Sequence, residues 1–289
     1  MLTKTQLKEI FARYGFAPLK KLGENYLIDG NIRGKILSAA AVSKDDLVLE
    51  IGPGLGALTI DLAETGARVI AVEKDKLACK VLKELAGHSF PNLEIINGDI
   101  LKFTPDAAGR GRRMKVVGNL PYYITSPVIE YILQNRRVIE SAVIMVQKEV
   151  ALRLLAGPGS DDYGSLSCFV QYYAHPEYVY TVKRTCFYPA PEVDSAIVKL
   201  GLFDRAQVQV KDESLFFKVV RGAFNQRRKT ILNSLSRAAV LDLPKAEVEA
   251  LLQTAGIDPA SRPERLNIFD FARISNAVAI RKIDKAGIV

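Results

Sequence analysis

A glycine-rich segment with acidic residues on both sides is the first part of the sequence that could hold a ligand. It reads Gly52-Pro53-Gly54-Leu55-Gly56, with Glu50 just before it and Glu73 at the end of the next apolar run. Glycines let the backbone turn tightly and approach a ligand where a Cβ would clash. A carboxylate at the position of Glu73 can accept hydrogen bonds from ribose hydroxyls. The pattern predicts a site for a ribose-containing cofactor.

The identity of that cofactor depends on two residues of the loop. The glycine pattern alone also fits a nicotinamide dehydrogenase, or a tight turn without a ligand. Pro53 removes a backbone N–H that a pyrophosphate would need, and Glu50 repels phosphate but suits a cationic amino-acid group. S-adenosylmethionine carries a ribose and an ammonium and no phosphate. We therefore predict that Gly52, Gly54 and Glu73 contact S-adenosylmethionine.

An aspartate follows the third predicted strand, in the dipeptide Gly98-Asp99. Its carboxylate could accept a hydrogen bond from the amino group of the cofactor's adenine. The alternative is that Asp99 only ends the strand as a turn or cap residue. We predict Asp99 as a further cofactor contact.

The tetrapeptide Asn119-Leu120-Pro121-Tyr122 follows the fourth predicted strand. Open α/β sheets place their sites at such strand ends. An adenine amino group is a weak nucleophile. Its lone pair becomes localised when the Asn119 side-chain oxygen and the Leu120 carbonyl accept hydrogen bonds from its two N–H groups. Tyr122 can stack on an extruded base. The sequence thus predicts methyl transfer to an adenine amine, with Asn119, Leu120 and Tyr122 in the active site.

These motifs need a scaffold of strands and helices, and the apolar pattern supplies one. Strands are predicted at 47–51, 68–73, 93–97, 115–117 and 141–146, with helices at 57–63, 75–85, after 125 and at 148–155. Alternating strands and helices predict βαβ units and a mostly parallel sheet covered on both faces. The predicted fold class is α/β, with a Rossmann-like sheet of the class I S-adenosylmethionine-dependent methyltransferase type.

The pattern changes after Gly157. Segments 167–173, 178–182 and 196–200 read as strands without helices between them, so the sheet is predicted to finish antiparallel. From about Phe203 the chain turns helical, and Asp212 is placed to cap a helix. We predict a methyltransferase domain at 1–203, which includes a basic N-terminal arm, and a small helical RNA-binding domain at 204–289.

Positive charge is concentrated in two places. The net charge is +8, and residues 1–24 carry five basic and two acidic residues. Between Arg221 and Arg237 there are five basic residues and no acidic one. On a continuous helix Arg221, Asn225 and Arg228 would share one face. We predict that this basic helix binds RNA phosphates without reading sequence, through the residues Arg221, Arg227, Arg228 and Lys229.

Composition excludes several other classes. The 3 cysteines are far apart and the chain has 2 histidines, so no cluster has metal-ligand spacing and no disulfide framework is implied. The start lacks the pattern of a signal peptide, and no apolar run is long enough to span a membrane. We expect a soluble, cytoplasmic monomer that binds neither metal nor membrane.

Taken together, the motifs resemble the ribosomal RNA adenine dimethyltransferase family over about residues 19–200. Leu22-Gly23-Glu24-Asn25-Tyr26-Leu27 is similar to the family's Leu-Gly-Gln-Asn-Phe-Leu, and the segment 187–195 to its Phe-x-Pro-x-Pro-x-Val-Asp-Ser. Segment 224–230 also resembles a stretch common to these enzymes. The resemblance implies methylation of adenosines in small-subunit ribosomal RNA, on the RNA or on a small-subunit precursor.

The resemblance also adds site residues. It implies that Asn25, Leu27 and Asn119 contact S-adenosylmethionine and that Phe187 sandwiches the target adenine against Tyr122. Glu24 stands where the family has Gln, which places extra negative charge near the cofactor entrance.

Two other functions stay open from the sequence. A methyltransferase of the macrolide-resistance type uses the same motifs on large-subunit RNA, although the longer helical tail and the Pro-Glu-Val-Asp-Ser form favour the small-subunit enzyme. An RNA-binding assembly factor could keep the fold without the chemistry. The intact Asn119, Tyr122, Glu73 and Asp99 argue against binding as the sole function.

Overall fold

A computed structural model describes residues 3–15, 25–86, 89–109, 111–226, 228–238, 241 and 243–286. The chain divides into two compact units. The first unit comprises 1–151 and 175–204, and the second unit comprises 152–174 and 205–289. The domain boundary near residue 203 stays a proposal, and the segment 152–174 groups with the C-terminal helices.

A seven-stranded sheet forms the centre of the first unit. The strands are β1 (Tyr26–Leu27), β2 (Leu47–Ile51), β3 (Arg68–Glu73), β4 (Leu93–Asn97), β5 (Met114–Asn119), β6 (Ile139–Gln147), β7 (Ala174–Val182), β8 (Phe187–Tyr188) and β9 (Ser195–Leu202). The sheet order is β4-β3-β2-β5-β6-β9-β7, and β1 pairs separately with β8. Neighbours from β4 to β6 are parallel and β9 is antiparallel to β6. The predicted α/β class, with its antiparallel finish, is confirmed.

The helices pack on this sheet in the first unit and on each other in the second. They are α1 (Lys4–Tyr14), α2 (Gly30–Ala40), α3 (Thr59–Glu64), α4 (Lys76–Ala86), α5 (Pro105–Gly109), α6 (Thr125–Gln134), α7 (Lys148–Leu155), α8 (Ser165–Tyr173), α9 (Glu213–Phe224), α10 (Ile231–Ser236), α11 (Lys245–Thr254) and α12 (Ile268–Ala286). Asp212 caps α9 as predicted, because its carboxylate accepts from the Leu215 N–H at 2.9 Å. No helix in the described part of the chain is long and apolar enough to cross a membrane.

One predicted strand is wrong. Segment 167–173 lies in helix α8, whose alternating apolar residues imitate the period of a strand. The aromatic residues reveal the helix, since the rings of Phe169 and Tyr173 meet at 5.4 Å across one turn. The hydroxyls of Tyr172 and Tyr173 donate to Glu213 of α9 at 3.3 and 2.7 Å. These two tyrosines therefore pack in the core of the second unit.

The predicted basic helix face is also wrong in its geometry. Helix α9 ends at Phe224, and Asn225 is its C-cap. Thr230 starts α10 by accepting a hydrogen bond from the Asn233 N–H at 3.4 Å. Arg228 lies in the turn between the two helices, so Arg221 and Arg228 share no helix face.

Candidate cofactor and active site

A cavity of about 420 Å³ opens at the carboxyl ends of β2, β3, β4 and β5. Parallel strands bring the residues that follow them to this one edge of the sheet. The residues predicted from the sequence that line it are Asn25, Leu27, Gly52, Gly54, Glu73, Asp99, Asn119, Leu120 and Tyr122. The structure thus brings every predicted cofactor residue into one cavity with three of the four predicted catalytic residues.

The glycine loop takes a backbone conformation that side chains disfavour. Gly52 and Gly54 have φ angles of 65° and 57°. A Cβ on Gly54 would stand 3.2 Å from the Tyr26 ring. The Gly54 N–H donates to Glu73 Oε2 at 2.9 Å, so the loop is tied to the end of β3. The positive φ favours glycine at both positions, and at Gly54 the close approach of Tyr26 adds a second reason.

Glu73 is fixed by backbone donors before any ligand binds. Its Oε2 accepts from Gly54, and its Oε1 accepts from the Asp75 N–H at 2.7 Å. Each carboxylate oxygen has a second lone pair and can accept another hydrogen bond. A carboxylate held in this way suits the two hydroxyls of a ribose.

Glu50 is the buried acid of the cavity. It is 1% exposed, and its Oε2 has no hydrogen-bond partner among the described residues. Burial, reinforced by the nearby Glu73 carboxylate, raises the pKa of Glu50 to about 8. An acceptor oxygen without a donor, in a cavity lining, fits the ammonium of an amino-acid moiety. The residues present therefore fit S-adenosylmethionine, with Glu73 at its ribose and Glu50 near its amino-acid end.

Asp99 lines the cavity just after the end of β4. Its Oδ1 accepts from the Leu101 N–H at 3.1 Å, and its Oδ2 accepts from Lys74 Nζ at 3.0 Å. The Lys74 ammonium holds the pKa of Asp99 below its ordinary value. Asp99 therefore caps the short helical turn after β4 and also presents an ionised acceptor to the cavity.

Asn119 ends β5, and its amide is oriented by a contact that the sequence alone could not show. Its Nδ2 donates to the Asn25 carbonyl at 3.0 Å. Because Nδ2 already makes this bond, Oδ1 is the amide atom that can accept a hydrogen bond from the target amine. The next residue is fixed as well, since the Leu120 N–H donates to the Met145 carbonyl at 3.0 Å. The two predicted acceptors thus lie on a rigid segment.

Tyr122 is half-buried at the start of the turn that leads into α6. Its hydroxyl shares a hydrogen bond of 2.8 Å with the Ser195 hydroxyl, and Ser195 is 1% exposed. Burial raises the pKa of Tyr122, so the phenol stays neutral. This bond fixes the tyrosine ring at one side of the cavity.

Phe187 is not brought to the cavity lining. It is 3% exposed and packs in the core cluster that contains Leu27 and Ile197. The cause is the pairing of β1 with β8, which sets Phe187 opposite Leu27. In this structure the phenylalanine is a core residue, and its predicted stacking on an adenine opposite Tyr122 stays a prediction.

Three residues of the site were missed by the sequence reading. Tyr123 and Lys74 line the cavity, and Ser195 anchors Tyr122. Tyr123 and Lys74 are the direct neighbours of predicted site residues, and Ser195 ends the segment 187–195. Their position next to the predicted site residues, or at the end of a predicted motif, could therefore have identified these three residues.

The predicted RNA-binding residues lie in the second unit. Arg221 is exposed in the last turn of α9, and Arg228 and Lys229 are exposed in the turn that follows. Arg227 lies outside the described residues. The structure leaves these positively charged side chains accessible, and their contact with RNA stays a prediction.

Comparison with known sequences gives a consistent result. The family model described as ribosomal RNA adenine dimethylase matches residues 16–279. The chain is 49% identical to the ribosomal RNA small subunit methyltransferase A of Moorella thermoacetica, covering 91% of this chain and 93% of that protein. It is 46% identical to the protein of the same name from Geobacillus thermodenitrificans, covering 96% of each.

Solved structures agree with the sequences. A dimethyladenosine transferase from Plasmodium falciparum superposes with a TM-score of 0.76 at 28% identity, covering 91% of this chain and 98% of that one. The 23S rRNA methyltransferase ErmE superposes with a TM-score of 0.68 at 28% identity, covering 88% and 100%.

Proposed function

The chain belongs to the ribosomal RNA adenine dimethylase family, and on that premise we propose that it dimethylates two adjacent adenosines near the 3′ end of small-subunit ribosomal RNA. The methyl groups come from S-adenosylmethionine and go to the exocyclic 6-amino groups. The observation that carries the proposal is the single cavity that joins the glycine loop, Glu73 and Asn119.

S-adenosylmethionine supplies, when bound, a methyl group already activated by its sulfonium, so the protein needs no strong general base. The chain's own task is to bind, orient and exclude water. Glu73 holds the ribose, Asp99 accepts from the adenine amino group, and Glu50 stands near the ammonium. Asn25 and Leu27 complete the cavity wall.

The target amine is held by acceptors on the segment after β5. Asn119 Oδ1 and the Leu120 carbonyl accept hydrogen bonds from its two N–H groups, which keeps the nitrogen lone pair out of the ring and directed at the methyl group; the methylated nitrogen then releases one proton to solvent. The bonds to Asn25 and Met145 fix these acceptors in advance. Preorganised polar groups of this kind contribute the larger part of many rate enhancements.

The extruded adenine needs an aromatic surface, and Tyr122 provides it. Ser195 keeps its ring in place through the shared hydrogen bond. Phe187 packs beside Leu27 of β1, and its stacking on the opposite face of the base is the part of the proposal that its burial supports least.

We propose that the substrate is small-subunit RNA, alone or in a precursor particle, and that the protein acts as a cytoplasmic monomer. The relatives named as small-subunit enzymes, at 41 to 49% identity, favour this substrate over large-subunit RNA. Large-subunit methylation is the second candidate, because the 23S rRNA methyltransferase ErmE shares the fold at 28% identity. An assembly role by binding alone is the third.

One experiment separates the three candidates. The protein is incubated with labelled S-adenosylmethionine and undermethylated small subunits, large subunits or naked RNA, and the product is digested to nucleosides. Dimethyladenosine in small-subunit RNA is the expected result. Label only in large-subunit RNA would contradict the proposal, and stable binding without any methyl transfer would favour the assembly role.

A further inference from the structure

A second concave surface of the first unit lies beside α4, apart from the cofactor cavity. It encloses about 620 Å³, and its polar lining includes Lys76, Lys80, Lys83 and Asn97. We call these four residues the lysine groove. None of them belongs to the motifs that predicted the function.

The groove forms because α4 buries its other faces. Ala78 and Val81 pack under Leu7 and Ile10 of α1, while Leu82 packs toward β4. Lysines at positions 76, 80 and 83 follow the helical period, so they share the face that remains. Their positions extend over about 10 Å along the helix axis, which suits a chain of anions better than one small anion.

Positive charge in the groove is poorly balanced. Glu84 is the acidic residue of its lining; it stands 4.0 Å from Lys80 and also accepts the Tyr14 hydroxyl at 2.6 Å. Within the described ranges, neither Lys76 nor Lys83 has a carboxylate at ion-pair distance. One carboxylate therefore faces three ammonium groups, all of them solvent-exposed.

The groove and the cofactor cavity are lined by neighbouring segments of the chain. Glu73, Lys74 and Asp75 line the cavity, and Lys76, the next residue, lines the groove. Asn97 links the two, because its Nδ2 donates to the carbonyls of Glu73 and Lys74 at 3.0 and 3.3 Å. The segment after β3 and Asn97 therefore hold the groove beside the cavity.

We propose that the lysine groove binds the phosphate backbone of the RNA that carries the target adenosine. This inference rests on the proposed function, which places RNA at the cavity mouth. Lysine ammonium groups contact phosphates without reading bases, so the groove supplies affinity and register and leaves the choice of base to the cavity. It adds a docking surface in the first unit to the basic segment predicted in the second.

The test compares two triple variants of equal charge. One carries Lys76→Glu, Lys80→Glu and Lys83→Glu; the matched control carries Lys35→Glu, Lys44→Glu and Arg137→Glu, which are exposed residues of the first unit outside α4. RNA binding is measured by fluorescence anisotropy between 50 and 200 mM salt (assay conditions), with small-subunit RNA and with small subunits. We expect the groove variant to bind more than about tenfold more weakly than the control, with a salt slope lower by about 2–3 because three phosphate contacts are lost.

Two further measurements fix the interpretation. Calorimetry should show unchanged S-adenosylmethionine affinity, and methyl transfer should show a raised KM with kcat little changed. If the charge reversal disturbs α4 and lowers cofactor affinity, Lys76→Gln, Lys80→Gln and Lys83→Gln together serve as the deciding variant. Equal losses in the groove and control variants, or an unchanged slope, would overturn the proposal.

The class of partner is tested separately. A photoreactive benzoylphenylalanine at position 80, irradiated in the complex with small subunits, should give a cross-link sensitive to ribonuclease, and the same group at position 44 should not. A cross-link to ribosomal protein would overturn the RNA assignment. A wild-type protein that methylates no ribosomal RNA would overturn the proposed function as well, whereas an active wild type with an unaffected groove variant overturns the groove alone.

Discussion

The cofactor cavity of the first unit and the basic segment 221–229 of the second were both predicted from short motifs, but they differ in how they are held. In the cavity, the Glu73 carboxylate accepts hydrogen bonds from the backbone of Gly54 and Asp75, and the Asn119 amide donates to the Asn25 carbonyl. In the basic segment, helix α9 stops at Phe224, and Arg228 and Lys229 lie in the turn that follows.

This difference shows which motifs can be read from sequence. A residue at the end of a parallel strand has its position set by the sheet, so the residue type and the strand pattern are sufficient. A residue beyond the last turn of a helix has its position set by where the helix ends. Here α9 ends at Phe224 with Asn225 as its C-cap, and Thr230 caps the separate helix α10.

The largest effect is expected for Phe187→Ala, because it removes a ring from the core of the first unit. The loss should destabilise the protein by about 3–5 kcal/mol, measured by urea unfolding. Tyr122→Ala is the matched variant: it should cost less stability, lose about 1–3 kcal/mol of base stacking and accumulate monomethyl product. A stable Phe187→Ala protein with a defect confined to methylation would support the base-stacking role implied by the family resemblance.

Asn119→Ala is expected to lower the single-turnover methylation rate by about 10²-fold or more, through loss of a preorganised acceptor at the reacting amine. RNA affinity should stay nearly unchanged, since phosphate contacts supply most of it. Asn135→Ala, at the end of α6, is the control and should keep the wild-type rate. A near-normal rate in Asn119→Ala would remove the tetrapeptide from the mechanism.

The cavity shows both what sequence could supply and what it could not. The types and order of Gly52, Glu73, Asp99 and Asn119 predicted one site, and the sheet brings them together. The sequence did not predict whether a given side chain would be exposed, because exposure depends on partners distant in sequence. Phe187 is buried because its strand pairs with β1, and the paired residues Leu27 and Phe187 are 160 positions apart in the sequence.

The same limit explains the error in α8. Alternating apolar residues fit a strand, and only packing against α9 decides for the helix. The lysines of α4 were overlooked for a related reason. A lysine face on an amphipathic helix is usually only solvated surface. The lysines of α4 become a candidate binding surface only once the structure shows the groove and the position of Asn97.

Glu73→Ala should weaken S-adenosylmethionine binding by about 1–3 kcal/mol, because the ribose loses its acceptor. The loop also loses its bonds from Gly54 and Asp75, so Glu73→Gln, which keeps one acceptor oxygen, should show a smaller loss. Calorimetry without RNA measures both variants. Tight binding of a nicotinamide dinucleotide with no binding of the methyl donor would contradict the cofactor assignment.

The raised pKa of Glu50 predicts how the free energy of unfolding depends on pH. Its folded pKa of about 8 exceeds the ordinary value of about 4.3 for an unfolded chain. Between these two pH values the folded state holds a proton that the unfolded state has released, so stability falls as pH rises, by at most about 1.4 kcal/mol per pH unit. Glu50→Gln should remove that dependence, as urea unfolding from pH 5 to pH 8.5 (assay conditions) would reveal. Parallel pH profiles of the two proteins would contradict the buried neutral carboxyl.

The smallest effect is expected in the basic segment, where single cations act independently. Arg228→Ala should lower the salt slope of RNA binding by about 0.7–0.9 and weaken binding by less than about tenfold, since one phosphate contact releases about one counterion. Arg221→Ala should do the same. Because a helix end and a turn separate the two side chains, the double variant should show the sum of the single effects. Strong non-additivity would mean that α9 extends past Phe224 when RNA binds, and the basic segment would then form the single helix face that its sequence predicts.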